Sequence, residues 1–445
     1  MFVSRSRRLL PGGRRKSPGP PDTKQAMNRF DLVIVGGGLT SARAIKEYRL
    51  AGGAGRIALL TRERTLPYHR PPLSKRFLRG EAEREDTLVE PQQFYAEHDV
   101  ELLLASTANE VRPGDHAVVT SGGERYHYRR LLLAPGAVPL TPPVEGIDLP
   151  GVFSLRSIAD ASAIREAAEN ARDAVVVGSG FIGMEVAASL TQLGLDVTLV
   201  TRDTDLFAQL QSPEISEHLV NLYRRHGVDV VRGDQVNAFR GHSWLNTVEL
   251  HSREPLAAGL AVIGVGVRPE LSFLQGSGLA IDDGLLVDER FQTNAPDVYA
   301  AGDVARFFDP LYGRRRRIEH WSNANYQGGE VGRILAGADG GYDTVSTFFT
   351  ESFGMTLKVF GDVSHHDDRV VRGSFEDGDA VAFYLEGGRL VGALLTGQDD
   401  ATEETLKQLI GNRAAGPDTH RLADEAVPVD AAFDLPAEVV RTSGA

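Results

Sequence analysis

Short apolar runs rich in β-branched residues alternate with amphipathic stretches along most of this chain, which predicts strand–helix–strand units. The first spans residues 30–60: a strand through Val33-Ile34-Val35, a glycine turn, a helix, and a second strand, Arg56-Ile57-Ala58-Leu59-Leu60, ending in Thr61-Arg62-Glu63. Residues 91–98 read as helix, and 100–135 as short strands with turns at Gly114 and Gly122-Gly123. Tyr128 to Gly136 reads as a buried strand entering a turn. A second unit runs from Ala174 to Val200 and ends in Thr201-Arg202-Asp203. The apolar strand Leu260 to Gly266 is expected to lead the chain back to the first unit. Beyond Phe348, strand patterns at 380–385 and 390–395 precede a helical stretch at 400–411.

Each unit carries glycines where its first strand meets its helix: Gly36-Gly37-Gly38 followed by Ser41, and Gly178-Ser179-Gly180 followed by Gly183. In that context they form a dinucleotide fingerprint. The first glycine makes the turn, the second admits a pyrophosphate to the backbone, and the third position lets helix pack on strand. The phosphates then meet the free N–H groups and positive dipole end of the helix. Two such motifs point to two dinucleotides exchanging electrons. The expected fold class is therefore α/β: two Rossmann-like, three-layer dinucleotide-binding domains plus a C-terminal α+β domain.

Composition narrows the chemistry. The 445 residues, 42% hydrophobic and 24% charged, suit two to four ordinary globular domains. No apolar run reaches the roughly 18 residues of a membrane helix, so a cytoplasmic location is expected. A formal charge of −13 argues against non-specific binding to nucleic acid or an anionic membrane. The exception is residues 1–29, rich in arginine, proline and glycine. They are expected to be a disordered basic extension or a start assigned upstream of Met27. The chain has no cysteine. Disulfide reduction and thiol-based peroxidase chemistry are therefore excluded, as is a thiolate-held iron–sulfur cluster, and no metal site is expected.

Three further strings are more specific: Pro67-Tyr68-His69-Arg70-Pro71-Pro72-Leu73-Ser74-Lys75, Val298-Tyr299-Ala300-Ala301-Gly302-Asp303-Val304, and Glu319-His320-Trp321-Ser322-Asn323-Ala324-Asn325-Tyr326-Gln327-Gly328. At these residues the chain resembles the FAD-dependent NAD(P)H reductases of ferredoxin, rubredoxin and putidaredoxin. These are branches of the pyridine nucleotide-disulfide oxidoreductase superfamily without redox cysteines, related to apoptosis-inducing factor. The resemblance implies an FAD-binding domain over residues 30–145 and 270–345, an NAD(P)-binding domain over 146–269, and a C-terminal dimerisation or partner-facing domain over 346–445. It also implies a monomer or homodimer that serves a ferredoxin- or rubredoxin-type carrier of a P450 or ring-hydroxylating oxygenase. Reduction of a quinone or another small acceptor, and a redox-sensing role, are the competing readings.

By the same resemblance Gly36, Gly37, Gly38 and Ser41 take the FAD pyrophosphate, and Arg70 runs along its phosphates. Asp303 takes the ribityl hydroxyls, and Lys75 and Trp321 lie by the isoalloxazine. Arg62 stands where relatives place an acid for the FAD ribose, so either Glu63, one position on, takes it or that contact is missing. Gly178, Gly180, Gly183 and Gly266 take the nicotinamide dinucleotide, with Glu185 and Glu319 near its nicotinamide. Lys75, Glu185 and Trp321 are the catalytic candidates. Arg202 favours a 2′-phosphate and Asp203 a ribose, so NADPH and NADH both stay open. Pro135 and Pro139-Leu140 depart from the family pattern, which implies altered FAD contacts there. Phe349 stands where relatives have Trp. The run Arg314-Arg315-Arg316-Arg317 is expected to help dock an acidic carrier.

Overall fold

The computed structural model describes residues 28–433, so nearly all of the basic extension lies outside the described residues. Arg29–Val35 lies inside a seven-stranded sheet, flanked in parallel by Ile57–Leu60 and Arg125–Leu133. Leu32 to Val35 and Ile57 to Leu60 are buried, because helices or loops cover both faces of a parallel sheet. Arg125–Leu133 serves two neighbours. Its first residues pair with the antiparallel strand Ala117–Thr120, and its last three with the parallel strand Val298–Ala300. Residues near 300 thereby rejoin the sheet begun near residue 30.

Helix Trp321–Ala336 packs closely against helix Leu39–Leu50. Gly328 and Gly332, one turn apart, make the approach possible: a Cβ on them would lie 2.6 Å from the Thr40 carbonyl oxygen and 2.4 Å from that of Ala44.

The second unit is a five-stranded, wholly parallel sheet in the order Asp229–Arg232, Asp196–Thr201, Asp173–Val177, Leu260–Ile263, Val152–Ser154. Helix Phe181–Gln192 makes its crossover. A third unit is an antiparallel five-stranded sheet running Thr347–Ser352, Met355–Gly361, Arg389–Thr396, Asp379–Glu386, Asp368–Ser374, with helix Asp400–Gly411 packed on it. The arrangement is the α/β class with a C-terminal α+β unit. The second and third units share one apolar core, in which Val176, Leu199 and Leu219 lie with Leu357, Ala382 and Tyr384. The Tyr384 hydroxyl donates to the Leu210 carbonyl at 2.6 Å. No helix among the described residues is long and apolar enough to cross a membrane.

Candidate functional site

A single cavity of about 1050 Å³ runs from one glycine loop to the other. Gly36 and Gly178 adopt φ of +115° and +108°, and a Cβ would drive into the carbonyl oxygens of Ala134 at 2.0 Å and Gly264 at 2.3 Å. Only glycine makes these turns. Gly38 and Gly180 behave differently. They have extended backbones, a Cβ on either would meet nothing within 4 Å, and both line the cavity. Each is the N-cap of its helix, and neither helix has a side-chain cap. Two sets of helix-start N–H groups are thus left for the phosphates of a bound group. Gly37 also lines the cavity. Ser41 and Gly183 do not. The buried Ser41 hydroxyl donates to the Gly36 carbonyl at 2.6 Å, and a Cβ on Gly183 would strike the Gly178 carbonyl oxygen at 1.9 Å. Both brace a turn from behind rather than facing a ligand.

The two prolines of Arg70-Pro71-Pro72 open a short 3₁₀ turn, Pro71–Ser74, with Arg70 before it and Lys75 after it. Proline suits such a start, where the missing N–H has no partner to lose. Arg70 pairs with Glu63 at 3.1 Å and donates to the Tyr68 hydroxyl at 3.2 Å, while that hydroxyl donates to Glu63 at 2.6 Å. Lys75 Nζ lies 2.6 Å from Glu185 Oε1 on the second unit's helix. Glu185 is buried, and it also accepts from the Ser74 hydroxyl at 2.5 Å and the Thr350 hydroxyl at 2.8 Å. The side chain expected to face a nicotinamide lines the cavity while held by three protein donors.

Trp321 opens helix Trp321–Ala336 and lines the cavity, its indole N–H donating to His69 Nδ1 at 3.0 Å. His320 caps this helix, its Nδ1 accepting from the Ser322 N–H at 3.2 Å. Burial near Phe181 and Phe348 pushes the His320 pKa down to about 4, so the ring is neutral, as an accepting cap requires. Glu319 lines the cavity beside Arg317, and Gly266, at φ +112°, takes the Leu140 N–H on its carbonyl at 2.9 Å. Leu140, one of the departures from the family pattern, lines the cavity there.

Asp303 follows Gly302 into the cavity and pairs at 2.8 Å with Arg156, which sequence reasoning missed. Arg156 sits just before the capping box of helix Ile158–Ala168, and Asp160 accepts its N–H at 3.0 Å. Burial and the neighbouring Arg70 guanidinium depress its pKa, and its Nε is buried without a partner. Two guanidiniums converging beside an uncapped helix start fit the pyrophosphate of a dinucleotide. The only local signal for Arg156 was the cap that follows it. His69, Ser74, Thr350 and His320 were also passed over, since nothing local marks them.

The ends of the second strands match in both halves. Thr61 Oγ1 accepts the Glu63 N–H at 3.2 Å, and Thr201 Oγ1 the Asp203 N–H at 3.3 Å. Arg62 pairs with Glu270 at 3.3 Å at the cavity wall, whereas Arg202 stays largely exposed with Asp203 at 3.7 Å.

The arginine run is not a free cationic patch. Arg314 pairs with Asp362 at 2.6 Å and Glu386 at 3.2 Å, and Arg316 with Asp309 at 2.9 Å. Arg317 pairs with Asp283 at 3.2 Å and with Glu319, and Arg315 donates to the carbonyls of Val287 and Arg306. Carboxylates inside the fold pair with Arg314, Arg316 and Arg317, whereas Arg315 meets only carbonyls and stays exposed.

Residues 30–328 match the model of the pyridine nucleotide-disulphide oxidoreductases. The chain belongs to this family. Residues 347–433 match the reductase C-terminal model. Among related pyridine nucleotide-disulphide oxidoreductases, putidaredoxin reductase of Pseudomonas putida is 32% identical over 410 residues, covering 91% of this chain and 97% of that protein. The ferredoxin reductase subunit of a Sphingobium 5,5'-dehydrodivanillate O-demethylase is also 32% identical over 410 residues, with 91% and 98% covered. The reductase in a crystal structure of the covalent putidaredoxin reductase–putidaredoxin complex superposes with a TM-score of 0.86 at 30% identity, covering 94% of this chain and 99% of that one. FAD and NAD(P)H are the cofactors of this oxidoreductase family, and the paired glycine loops fit two dinucleotides end to end.

Proposed function

We propose that this protein passes electrons from NAD(P)H through FAD to a small ferredoxin- or rubredoxin-type iron–sulfur carrier in the cytoplasm, and that the carrier serves a P450 or ring-hydroxylating oxygenase. One observation carries the reading: a single cavity joins two dinucleotide loops in a chain without cysteine, so no thiol relay stands between the cofactors and the acceptor. FAD, when bound, supplies the conversion of hydride transfer into single-electron steps.

The protein binds, orients and tunes. The first glycine loop, Arg70 and Arg156 hold phosphate, Asp303 receives hydroxyl donors, and Lys75 places an ammonium at the cavity wall, where it favours developing negative charge. Trp321 closes one wall, and its bond to His69 fixes the ring. Leu140, Val265 and Phe349 are partly exposed apolar side chains lining the cavity, a surface suited to excluding water beneath a docked carrier. The O-demethylase subunit and the putidaredoxin reductase among the relatives support the choice of acceptor.

The test is turnover of the purified protein. It should hold one non-covalent FAD per chain and reduce ferricyanide and a ferredoxin–cytochrome c couple. It should leave lipoamide, glutathione disulfide and thioredoxin untouched. No flavin after reconstitution and desalting, or NAD(P)H-dependent reduction of those disulfides, would overturn the proposal.

A further inference from the structure

We infer that Thr350, in the third unit, is a positioning residue for the Lys75–Glu185 pair, so that the C-terminal sheet takes part in electron uptake; this rests on the oxidoreductase reading above. Thr350 lies on the edge strand Thr347–Ser352, packed against helix Phe181–Gln192. Strand alternation turns Thr350 and Ser352 inward and leaves Phe349 and Glu351 outward. The strand is pinned on both sides of Thr350. Phe348 meets the Phe181 ring at 5.1 Å, and Phe353, at the hairpin tip, stacks on His226 at 4.1 Å and meets Tyr223 at 5.0 Å. The hydroxyl is thus held at 2.8 Å from Glu185 Oε1.

That oxygen is the one Lys75 approaches at 2.6 Å, while Ser74 occupies Oε2. The first and third units therefore both supply donors to one buried carboxylate of the second. A buried carboxylate takes whatever donors it can reach, and each donor lessens its demand on the others. Thr350 satisfies part of Oε1 and leaves more of the Lys75 ammonium's field to act in the cavity. Without the hydroxyl, Lys75 alone must serve Oε1, and its charge is drawn toward Glu185.

The test compares Thr350→Val, which keeps the shape and removes the hydroxyl, with Thr350→Ser, which restores it. The flavin midpoint potential is read by dithionite titration, and flavin reduction by stopped flow. In Thr350→Val the potential should shift negative and the reduction rate at saturating NAD(P)H should fall about tenfold, the low end for a hydrogen bond to a charged group. Its KM should stay within about twofold, the mark of an interaction that acts on the step rather than on binding. Thr350→Ser should recover both potential and rate. If Thr350→Val does not fold, Thr350→Ala carries the same expectations.

A variant without the hydroxyl that keeps the wild-type potential and rate while losing thermal stability would overturn the inference, as would a serine variant that fails to rescue. Dithionite needs no nicotinamide. The potential thus decides the role of Thr350 even if wild-type protein accepts nothing from NAD(P)H, a result that would sink the oxidoreductase reading instead.

Discussion

Lys75 and Glu185 come from different nucleotide-binding units and meet at 2.6 Å at the wall of the shared cavity, with Glu185 almost wholly buried. A pair so placed owes its strength to being complete, since removing one partner leaves a charge with neither water nor counter-ion. Lys75→Met should destabilise the apoprotein by about 3 kcal/mol, the usual cost of orphaning a buried charge. Adding Glu185→Gln should recover part of the loss. Urea unfolding of the two variants and wild type checks it; equal destabilisation by the single and double changes would show that the pair does not couple.

The glycine loop separates folding from ligand binding. Gly36→Ala should lower thermal stability, because it forces a Cβ to 2.0 Å from the Ala134 carbonyl oxygen at φ +115°. Gly38→Val should fold, its backbone being extended, and yet lose FAD, because its side chain fills space the phosphates need. Flavin-to-protein ratio after desalting, beside the apoprotein melting temperature, tests both. A Gly38→Val protein that kept stoichiometric FAD would move the phosphate site elsewhere.

Arg202 and Asp203 line the cavity at places equivalent to Arg62 and Glu63, and the proposed nucleotide preference is tested there. If Arg202 grips a 2′-phosphate, Arg202→Ala should cost about 1–3 kcal/mol in NADPH binding, as for a lost charge-assisted contact, and leave NADH kinetics nearly unchanged. If Asp203 holds a ribose, Asp203→Ala should impair NADH most. Comparing kcat/KM for both nucleotides on three proteins decides the matter.

The arginine run should behave as a structural clamp. Asp362 is buried between Arg314 and Arg316, and its pKa sits at about 2 because the two guanidiniums and Ser364 outweigh burial. Arg314→Gln should cost about 2 kcal/mol, less than a fully orphaned buried charge, because Arg316 remains. The apparent KM for a ferredoxin should not change. A raised carrier KM at unchanged stability would return the run to the docking surface.

His320 gives a pH signature. Burial holds its folded pKa near 4, against an ordinary value of 6.5. Below pH 6.5 the unfolded chain gains a proton that the folded protein refuses until about pH 4. Stability from this residue therefore falls as pH drops through that window and levels off below it. In His320→Gln, melting temperature should depend less steeply on pH between 6.5 and 4. An unchanged slope would mean that His320 does not titrate apart from the rest of the fold.

Apolar period, two glycine turns and the absence of cysteine were enough to read both nucleotide-binding units, the helix at 400–411 and the exclusion of disulfide chemistry. These are local properties: a β-branched strand followed by a turn that admits only glycine is written within about ten residues. Charge was legible only as composition. Whether four consecutive arginines face water or are paired depends on Asp309, Asp362 and Glu386, which only the folded chain brings near. Likewise Arg156 reaches Asp303, and Thr350 reaches Glu185, across unit boundaries. The sequence alone determined which backbone could cradle two dinucleotides. The tertiary structure decided which side chains stand charged and free at the cavity and which are spent on one another, because that depends on long-range packing that no local pattern encodes.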